Sequence, residues 1–128
     1  MTRRRDERGS AVVDFVLVLL VLIPLFLGIV QLGLTLHVRN TLTSAASEGA
    51  RHAAAYDRGP ADGAARTRAI ISGVLADGLA GDVRATQTDV DGYPGVVVRV
   101  SAEVPALGVW GSGMRIQVEG HAVEEALP

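Results

Sequence analysis

The sequence predicts an α+β protein. A single N-terminal transmembrane helix extends into an amphipathic helix and is followed by a short helix and a small antiparallel sheet. Three observations lead to this prediction. Residues 15–30 carry no charged or strongly polar side chain. Apolar and small residues then recur at helical spacing as far as Tyr56, and the last third alternates apolar and polar residues with the period of two typical of strands.

The transmembrane helix is predicted over residues 10–36. Crossing the hydrocarbon core of a bilayer takes roughly 20 predominantly apolar helical residues, and only a helix satisfies its own backbone inside lipid. Residues 15–30 supply the centre of such a span, and the residues on either side supply its margins. Pro24 is compatible with the span, because membrane helices tolerate proline better than soluble helices do.

Residues 1–9 form a short polar leader, too short to fold alone. It carries an excess of positive charge, although the chain as a whole has a formal net charge of −2. The positive-inside rule therefore places the N-terminus in the cytoplasm and the residues after about 37 outside. The negative charge of the remaining chain argues against nucleic-acid binding. The basic residues of the leader are Arg3, Arg4, Arg5 and Arg8.

Several interpretations of the leader compete. A cleaved secretory signal would have an apolar core of roughly 7–15 residues followed at once by small residues. Here the run is longer, and the nearest small cluster, residues 44–46, lies well beyond it. A twin-arginine export signal lacks its surrounding pattern. An uncleaved anchor remains open. A further interpretation rests on Gly9, Asp14 and Phe15. A glycine, four uncharged residues, an acid and an aromatic at the entry to the apolar run resemble the cleavage site of type IV pilin-like proteins, and this resemblance implies cleavage between Gly9 and Ser10.

Asp14 is the acidic residue nearest the hydrocarbon. A charged side chain costs about 2.5–3.5 kcal/mol at the centre of the bilayer on insertion scales, and less near the interface. Asp14 can rest in water at headgroup level, or cap the positive end of the helix. Alternatively, it is retained to pair with a positive group of a neighbouring subunit, which would fix the register of packing rather than add stability.

The helix is predicted to continue over residues 37–56. Glu48 can pair on the surface with Arg51 at i+3 or with His52 at i+4. Small residues dominate the stripe that recurs at helical spacing, so another helix or a sheet can approach it closely. The stripe consists of Val38, Leu42, Ala45, Gly49, Ala53 and Tyr56.

Three segments together resemble the TadE-like family, which are pilin-like membrane proteins of tight-adherence (Flp) pilus systems. They are residues 8–15, the proline-containing apolar run, and residues 45–54 with Glu48, Gly49 and Arg51. The resemblance implies a pilin-like fold and a minor pilin or pseudopilin that acts as a structural or assembly component. Asp14 departs from the family pattern, which usually has glutamate at that position.

The resemblance also implies a processing step and partners. Prepilin peptidase would cut between Gly9 and Ser10, and Asp14 would then neutralise the new α-amine of a neighbouring subunit. Expected partners are the inner membrane, that peptidase, other pilin-like subunits and inner-membrane pilus assembly proteins. The alternative is an uncleaved, membrane-anchored extracytoplasmic module that binds another component of the cell envelope.

The extracytoplasmic domain is predicted over residues 57–128. Residues 57–60 break the first helix, and Asp62 is a plausible N-cap for a second helix from Gly63 to Leu79 that Gly81 ends. Its apolar face is predicted to comprise Ile70, Ile71, Val74, Leu75 and Leu79.

Three strands are predicted after that helix. Val83–Val90 is the weakest, and residues 91–95 form a turn-rich connector. Val96–Val104 places Val96, Val98, Val100, Ala102 and Val104 on one face. Met114–Val123 repeats the alternation, with Met114, Ile116 and Val118 on the apolar face. Such a sheet needs a cover, and the long helix is the obvious candidate.

The sequence shows no motif typical of catalysis, of a cofactor site or of a metal site. The chain contains no cysteine, and its three histidines lie far apart in sequence. Residues 111–113 have the glycines of a phosphate loop but not its context, and no lysine follows them. We therefore expect no enzyme activity, no cofactor and no small-molecule substrate. Trp110 is interpreted as a lid over the sheet, or as a contact with the membrane surface or a partner subunit.

Overall fold

The computed structural model of the chain describes residues 3–75, 80–107 and 113–125. It contains two helices, α1 (Arg3–Ala54) and α2 (Pro60–Val74), followed by three strands, β1 (Ala80–Val90), β2 (Tyr93–Val104) and β3 (Met114–Val123). The strands form one antiparallel sheet in the order β1-β2-β3. The predicted α+β class and order of elements are confirmed.

Helix α1 is uninterrupted over 52 residues, which corresponds to about 78 Å at 1.5 Å per residue. It begins at Arg3, so residues 3–9 of the predicted leader are helical and continuous with the apolar segment. Adding residues to an existing helix is inexpensive, because the costly nucleation step has already been made. The helix ends at Ala54, and Asp57 follows with a φ of 59°, in the left-handed region that aspartate tolerates better than most residues.

Helix α2 begins earlier than predicted. Gly59 is the N-cap and Pro60 occupies the first helical turn, where its missing N–H costs nothing. Asp62 is therefore not the N-cap; its carboxylate accepts a hydrogen bond of 2.9 Å from the Gly59 N–H. The helix ends at Val74, which is 61% exposed rather than part of the buried face. Leu79 lies outside the described residues.

The β1–β2 hairpin is tighter than predicted. Strand β1 begins at Ala80, and Gly81 lies in a bulge of that strand rather than ending α2. Only Asp91 and Gly92 form the turn, with φ values of 53° and 86°, as a two-residue hairpin with the right-handed twist of its strands requires. Residues 93–95 already belong to β2.

Pro94 fits in the central strand because β3 is nearly at its end there. The Pro94 carbonyl accepts a hydrogen bond of 2.8 Å from the Glu124 N–H, just beyond the end of β3 at Val123. The backbone edge of Pro94 therefore faces the end of β3, so its missing N–H leaves little of the ladder unmade.

The core lies between the sheet, residues 38–54 of α1 and one face of α2, which contributes Ala64 and the predicted Ile71. The predicted alternation in β2 and β3 is confirmed, although Met114, the first residue of β3, is 55% exposed. On α1 a second row of small residues, missed by the sequence prediction, is buried beside the predicted stripe. Tyr56 is not part of it, because it follows the helix and is 64% exposed. The second row is Ala46, Ala50 and Ala54.

Candidate functional site: the exposed half of the long helix

The first half of α1, residues 11–30, packs against no other described element. One helix in the described part of the chain is long and apolar enough to cross a membrane, with a mean hydropathy of 2.9 in its most apolar window, and none of that window is buried. Large apolar side chains are exposed around the whole circumference of the helix. They include Val12, Phe15, Leu17, Leu20, Val21, Leu22, Leu25, Phe26 and Ile29.

Exposure on every side rules out an ordinary amphipathic helix that lies on a core. A surface helix has one apolar stripe and one polar face, whereas a helix that is hydrophobic all round needs an apolar environment all round. A single-pass membrane segment meets that requirement. Because the water-exposed domain is anchored to the second half of the same helix, α1 fits a protein with one membrane span.

Two polar residues bracket the apolar segment. Asp14 and Gln31 are placed symmetrically about its midpoint between Leu22 and Ile23, and each lies about 13 Å from it along the axis. The hydrocarbon core of a bilayer extends about 15 Å from its centre. A helix centred in this way therefore holds both polar side chains close to the two boundaries of the hydrocarbon.

The residues of the predicted processing junction lie on exposed helix. A side chain added to Gly9 would meet nothing within 4 Å outside its own stretch of helix. Ser10 and Asp14 are one turn apart and share a face of the helix. Phe15 is 63% exposed. The structure thus brings Ser10 and Asp14 together and leaves the junction accessible, while the cleavage itself stays a prediction.

The Glu48-Gly49-Arg51 motif divides into two parts with different roles. Glu48 and Arg51 form an exposed ion pair of 3.4 Å, with side chains 45% and 69% exposed. Gly49 is buried and faces α2. A Cβ on Gly49 would overlap the Thr67 hydroxyl and lie 2.7 Å from the Gly63 carbonyl oxygen. The glycine therefore permits close approach of the two helices, and the charged pair lies on the surface beside it.

Thr67 completes this helix contact. Its side chain is fully buried, and its hydroxyl donates a hydrogen bond of 2.8 Å to the Gly63 carbonyl. Gly63 is equally constrained, since a Cβ there would come within 2.6 Å of the Ala53 side chain. Both helices contribute a glycine to the crossing, and the threonine hydroxyl is satisfied within its own helix.

Gln31 is a residue that sequence reasoning missed. Its side-chain Oε1 accepts a hydrogen bond of 2.7 Å from the Leu107 N–H, and its Nε2 donates one of 3.2 Å to the Pro105 carbonyl. The partners are more than 70 positions away in sequence, as the separations of 76 and 74 show. The available signal was its position, because Gln31 is the first polar side chain after the apolar run.

The described residues contain no group of three or more histidine, cysteine, aspartate or glutamate side chains that could hold a metal ion. His37 and His52 lie on α1, about 22 Å apart along its axis, and His121 lies on β3. Trp110 and residues 111–112 lie outside the described residues, so the interpretations of Trp110 stay predictions.

Comparison with known families supports the resemblance found in the sequence. The family described as TadE-like protein matches residues 9–51, about a third of the chain. The match begins at Gly9, the first residue of the predicted junction, and ends at Arg51, the last residue of the charged motif. Neither the characterised proteins nor the solved structures gave a match to this chain.

Proposed function

We propose that this chain is a TadE-like minor pilin, or pseudopilin, that serves as a structural or assembly component of a tight-adherence (Flp, type IV-like) pilus or secretion system. The observation that carries the proposal is the family match over residues 9–51, which coincides with the exposed apolar half of α1 and its first turns inside the domain. The partners would be other pilin-like subunits and inner-membrane pilus assembly proteins.

In this proposal α1 spans the inner membrane once, with the N-terminus in the cytoplasm and the α+β domain outside. The four arginines that precede the apolar run support that orientation, because positive charge is retained on the cytoplasmic side. The span has no stripe of polar residues to line a channel or bind a substrate. It therefore anchors the chain and offers an apolar surface to neighbouring helices.

The proposal includes removal of residues 1–9 by prepilin peptidase. Cleavage between Gly9 and Ser10 would create a new α-amine one helical turn from Asp14. In a packed array, the Asp14 carboxylate of one subunit would neutralise the amine of the next. An ion pair at the edge of the hydrocarbon is poorly solvated, so it would specify the axial register between subunits.

The first experiment determines the N-terminus of the mature chain. The protein is purified from membranes with and without an active prepilin peptidase and examined by intact-mass spectrometry. We expect a chain that begins at Ser10 only where the peptidase is active, and Gly9→Leu should abolish the cleavage. Gly28→Leu is the matched control, because a side chain there meets nothing within 4 Å and lies far from the junction.

A chain that keeps residues 1–9 in the presence of the active peptidase would contradict the pilin proposal. That result would favour the alternative, an uncleaved membrane-anchored module that binds another envelope component. One feature favours this alternative, namely that α1 runs without interruption through Gly9 and Ser10, so no local break in the backbone marks the junction.

The second experiment tests the role of Asp14 by crosslinking between subunits at equal expression. Asp14→Glu should assemble at least as well as the parent chain, because it restores the acid usual in the family. Asp14→Asn and Asp14→Ala should insert and be cleaved normally, yet self-associate about tenfold more weakly, because they leave the amine of the neighbouring subunit unpaired at the edge of the hydrocarbon. Val13→Ala, at a neighbouring exposed position, is the control.

Equal crosslinking in the parent chain and the three Asp14 variants would exclude the ion pair. Asp14 would then be a residue of the helix terminus that rests in water, and the assembly proposal would depend on the apolar surface of the span alone.

A further inference from the structure

Residues 105–107, the start of the β2–β3 connection, lie beside α1 at the end of the apolar segment. Strand β2 runs towards that segment and ends at Val104, which pairs with Met114 at the start of β3. The next residues, Pro105 and Leu107, are both hydrogen-bonded to the side chain of Gln31. The Asp91–Gly92 turn is at the opposite end of the sheet, where the Glu125 N–H donates to the carbonyl of Ala54, the last residue of α1.

These contacts fix the depth of residues 105–107 relative to the membrane. Gln31 lies about 13 Å from the midpoint of the apolar segment, near the limit of a hydrocarbon half-thickness of about 15 Å. The Leu107 N–H is 2.7 Å from the Gln31 side chain, so the Leu107 backbone lies at nearly the same depth. A domain anchored by α1 cannot hold this segment far from the bilayer surface.

We propose that residues 105–107 form a second membrane contact of the domain, in which Leu107 enters the interfacial region of the bilayer on the domain's side. This inference rests on the proposed function, because it requires that the first half of α1 spans the membrane. The partner is the lipid surface itself. The contact would set the tilt of the sheet relative to the membrane plane.

The chemistry of the segment suits an interface between water and lipid. Leu107 is 41% exposed, and the exposed side chains of Leu32 and Leu36 lie on α1 just beyond Gln31. Removing apolar surface from water contributes roughly 25 cal/mol per Å². The amide of Gln31 would be costly beside hydrocarbon if unpaired, but its donor and its acceptor are both engaged by the connection.

Charged residues limit how deeply the domain can enter. Glu103 and Arg115 face each other in register one residue before Val104 and one after Met114, and both are exposed. Their charges favour water or headgroups over hydrocarbon. The connection can therefore reach the interface, while the body of the sheet remains outside it.

The experiment uses the full chain, whose lack of cysteine permits single labelling sites. Leu107→Cys, Leu22→Cys and Tyr93→Cys are each labelled with the fluorophore NBD and reconstituted in phosphatidylcholine–phosphatidylglycerol nanodiscs. The lipids carry a nitroxide quencher either near the headgroup or deep in the acyl chain. Tyr93, exposed and at the far end of the sheet, is the matched control.

We expect the label at position 22 to be quenched most by the deep nitroxide, that at 107 most by the shallow nitroxide, and that at 93 by neither. Gln31→Leu removes the two hydrogen bonds that hold residues 105–107 against α1, and should lower the ratio of docked to undocked residues 105–107 about tenfold. The shallow quenching of the label at 107 should fall accordingly. Gln87→Leu, which removes the hydrogen bond between Gln87 and Glu124 at the far end of the sheet, should leave the quenching at 107 unchanged.

The outcomes separate the two proposals. If position 22 is quenched and position 107 is as unquenched as position 93, the lipid contact is overturned and the spanning helix stands. If position 22 is unquenched, both are overturned. A blue-shifted label at 107 that no lipid nitroxide quenches would place it against a protein surface, such as a second copy of the chain, and would overturn the lipid contact.

Discussion

The two halves of α1 use hydrophobic residues in opposite ways. The first half, residues 11–30, is built mainly of leucine, valine, isoleucine and phenylalanine, and these side chains are exposed on all sides. The second half, residues 38–54, buries mostly alanine and glycine, and only towards the sheet and α2. One continuous helix thus has two kinds of surface with no break between them.

The difference follows from what surrounds each half. Lipid accepts bulky side chains at every angle around a helix, so size is unrestricted there. Inside the domain the sheet approaches the helix so closely that a Cβ on Gly120 would lie 2.6 Å from the Ala46 carbonyl oxygen. Small side chains on α1 and glycine on β3 make this approach possible. The half that packs within the domain therefore differs from the first half in the small size of most of its buried side chains, and in confining its apolar residues to one side.

The largest expected effect comes from a cavity in the packed half. Leu42 is fully buried, so Leu42→Ala should lower the free energy of unfolding of the domain by about 3 kcal/mol. Leu20→Ala, at a position 70% exposed in the first half, should leave that stability unchanged. Urea unfolding in detergent micelles, followed by hydrogen exchange of the β2 amides, measures both. Equal losses would mean that the first half also packs against the domain.

Overpacking of the helix crossing should cost somewhat less. Gly49→Ala places a methyl group against Thr67 and the Gly63 carbonyl, and should lower the free energy of unfolding by about 2 kcal/mol. Gly33→Ala lies on the same helix with nothing within 4 Å and should cause no loss. The same unfolding assay compares the two. A stable Gly49→Ala chain would show that α2 can move away from α1 without penalty.

The smallest effect is expected on the outer face of the sheet. Arg99 and Glu119 form a cross-strand ion pair of 2.6 Å, but their side chains are 58% and 52% exposed. Arg99→Ala should therefore cost at most about 0.5 kcal/mol, and less at high salt. Its neighbour Val100 is fully buried, and Val100→Ala should cost about 2 kcal/mol in the same assay. A larger loss for Arg99→Ala would indicate an additional partner on that face.

Much of the fold could be predicted because it is encoded in local periodicity. Apolar and polar residues largely alternate in Val96–Val104 and Met114–Val123, and both strands contain those residues in the structure. The apolar run of residues 15–30 is too long for the core of a small domain to bury on all sides. The stripe over Val38, Leu42 and Ala45 identified the side of α1 that faces inwards, and these residues are buried.

The wrong predictions have two physical causes, which are contacts with another element and, for α2, a nearby proline that moved the start of the helix. Alanine gives a weak periodic signal, so the row containing Ala46 became visible only when Gly120 was placed against it. Asp62 has the chemistry of an N-cap, but Pro60 allows the helix to begin one turn earlier. Pro94 and Gly95 have turn chemistry, yet pairing with β1 extends β2 through them.

The candidate site shows the same division. Gly9, Asp14 and Phe15 were identified by local pattern, and they lie on exposed helix. Gln31 was not identified, because its hydrogen-bond partners lie beyond β2 and nothing near it in sequence marks them. Gly49 was named for the resemblance it carries, and only the structure assigns it to the contact with Thr67.

The packing of β3 against α1 has a consequence for the order of events during synthesis. Ile116 and Val118 cover a helix face made about 70 residues earlier, so at 5–20 residues per second that face waits several seconds for its last cover. Intermediates with bulky exposed apolar surface aggregate readily. The alanines that make up most of this face expose little such surface, so the face itself should promote little aggregation while it waits for β3.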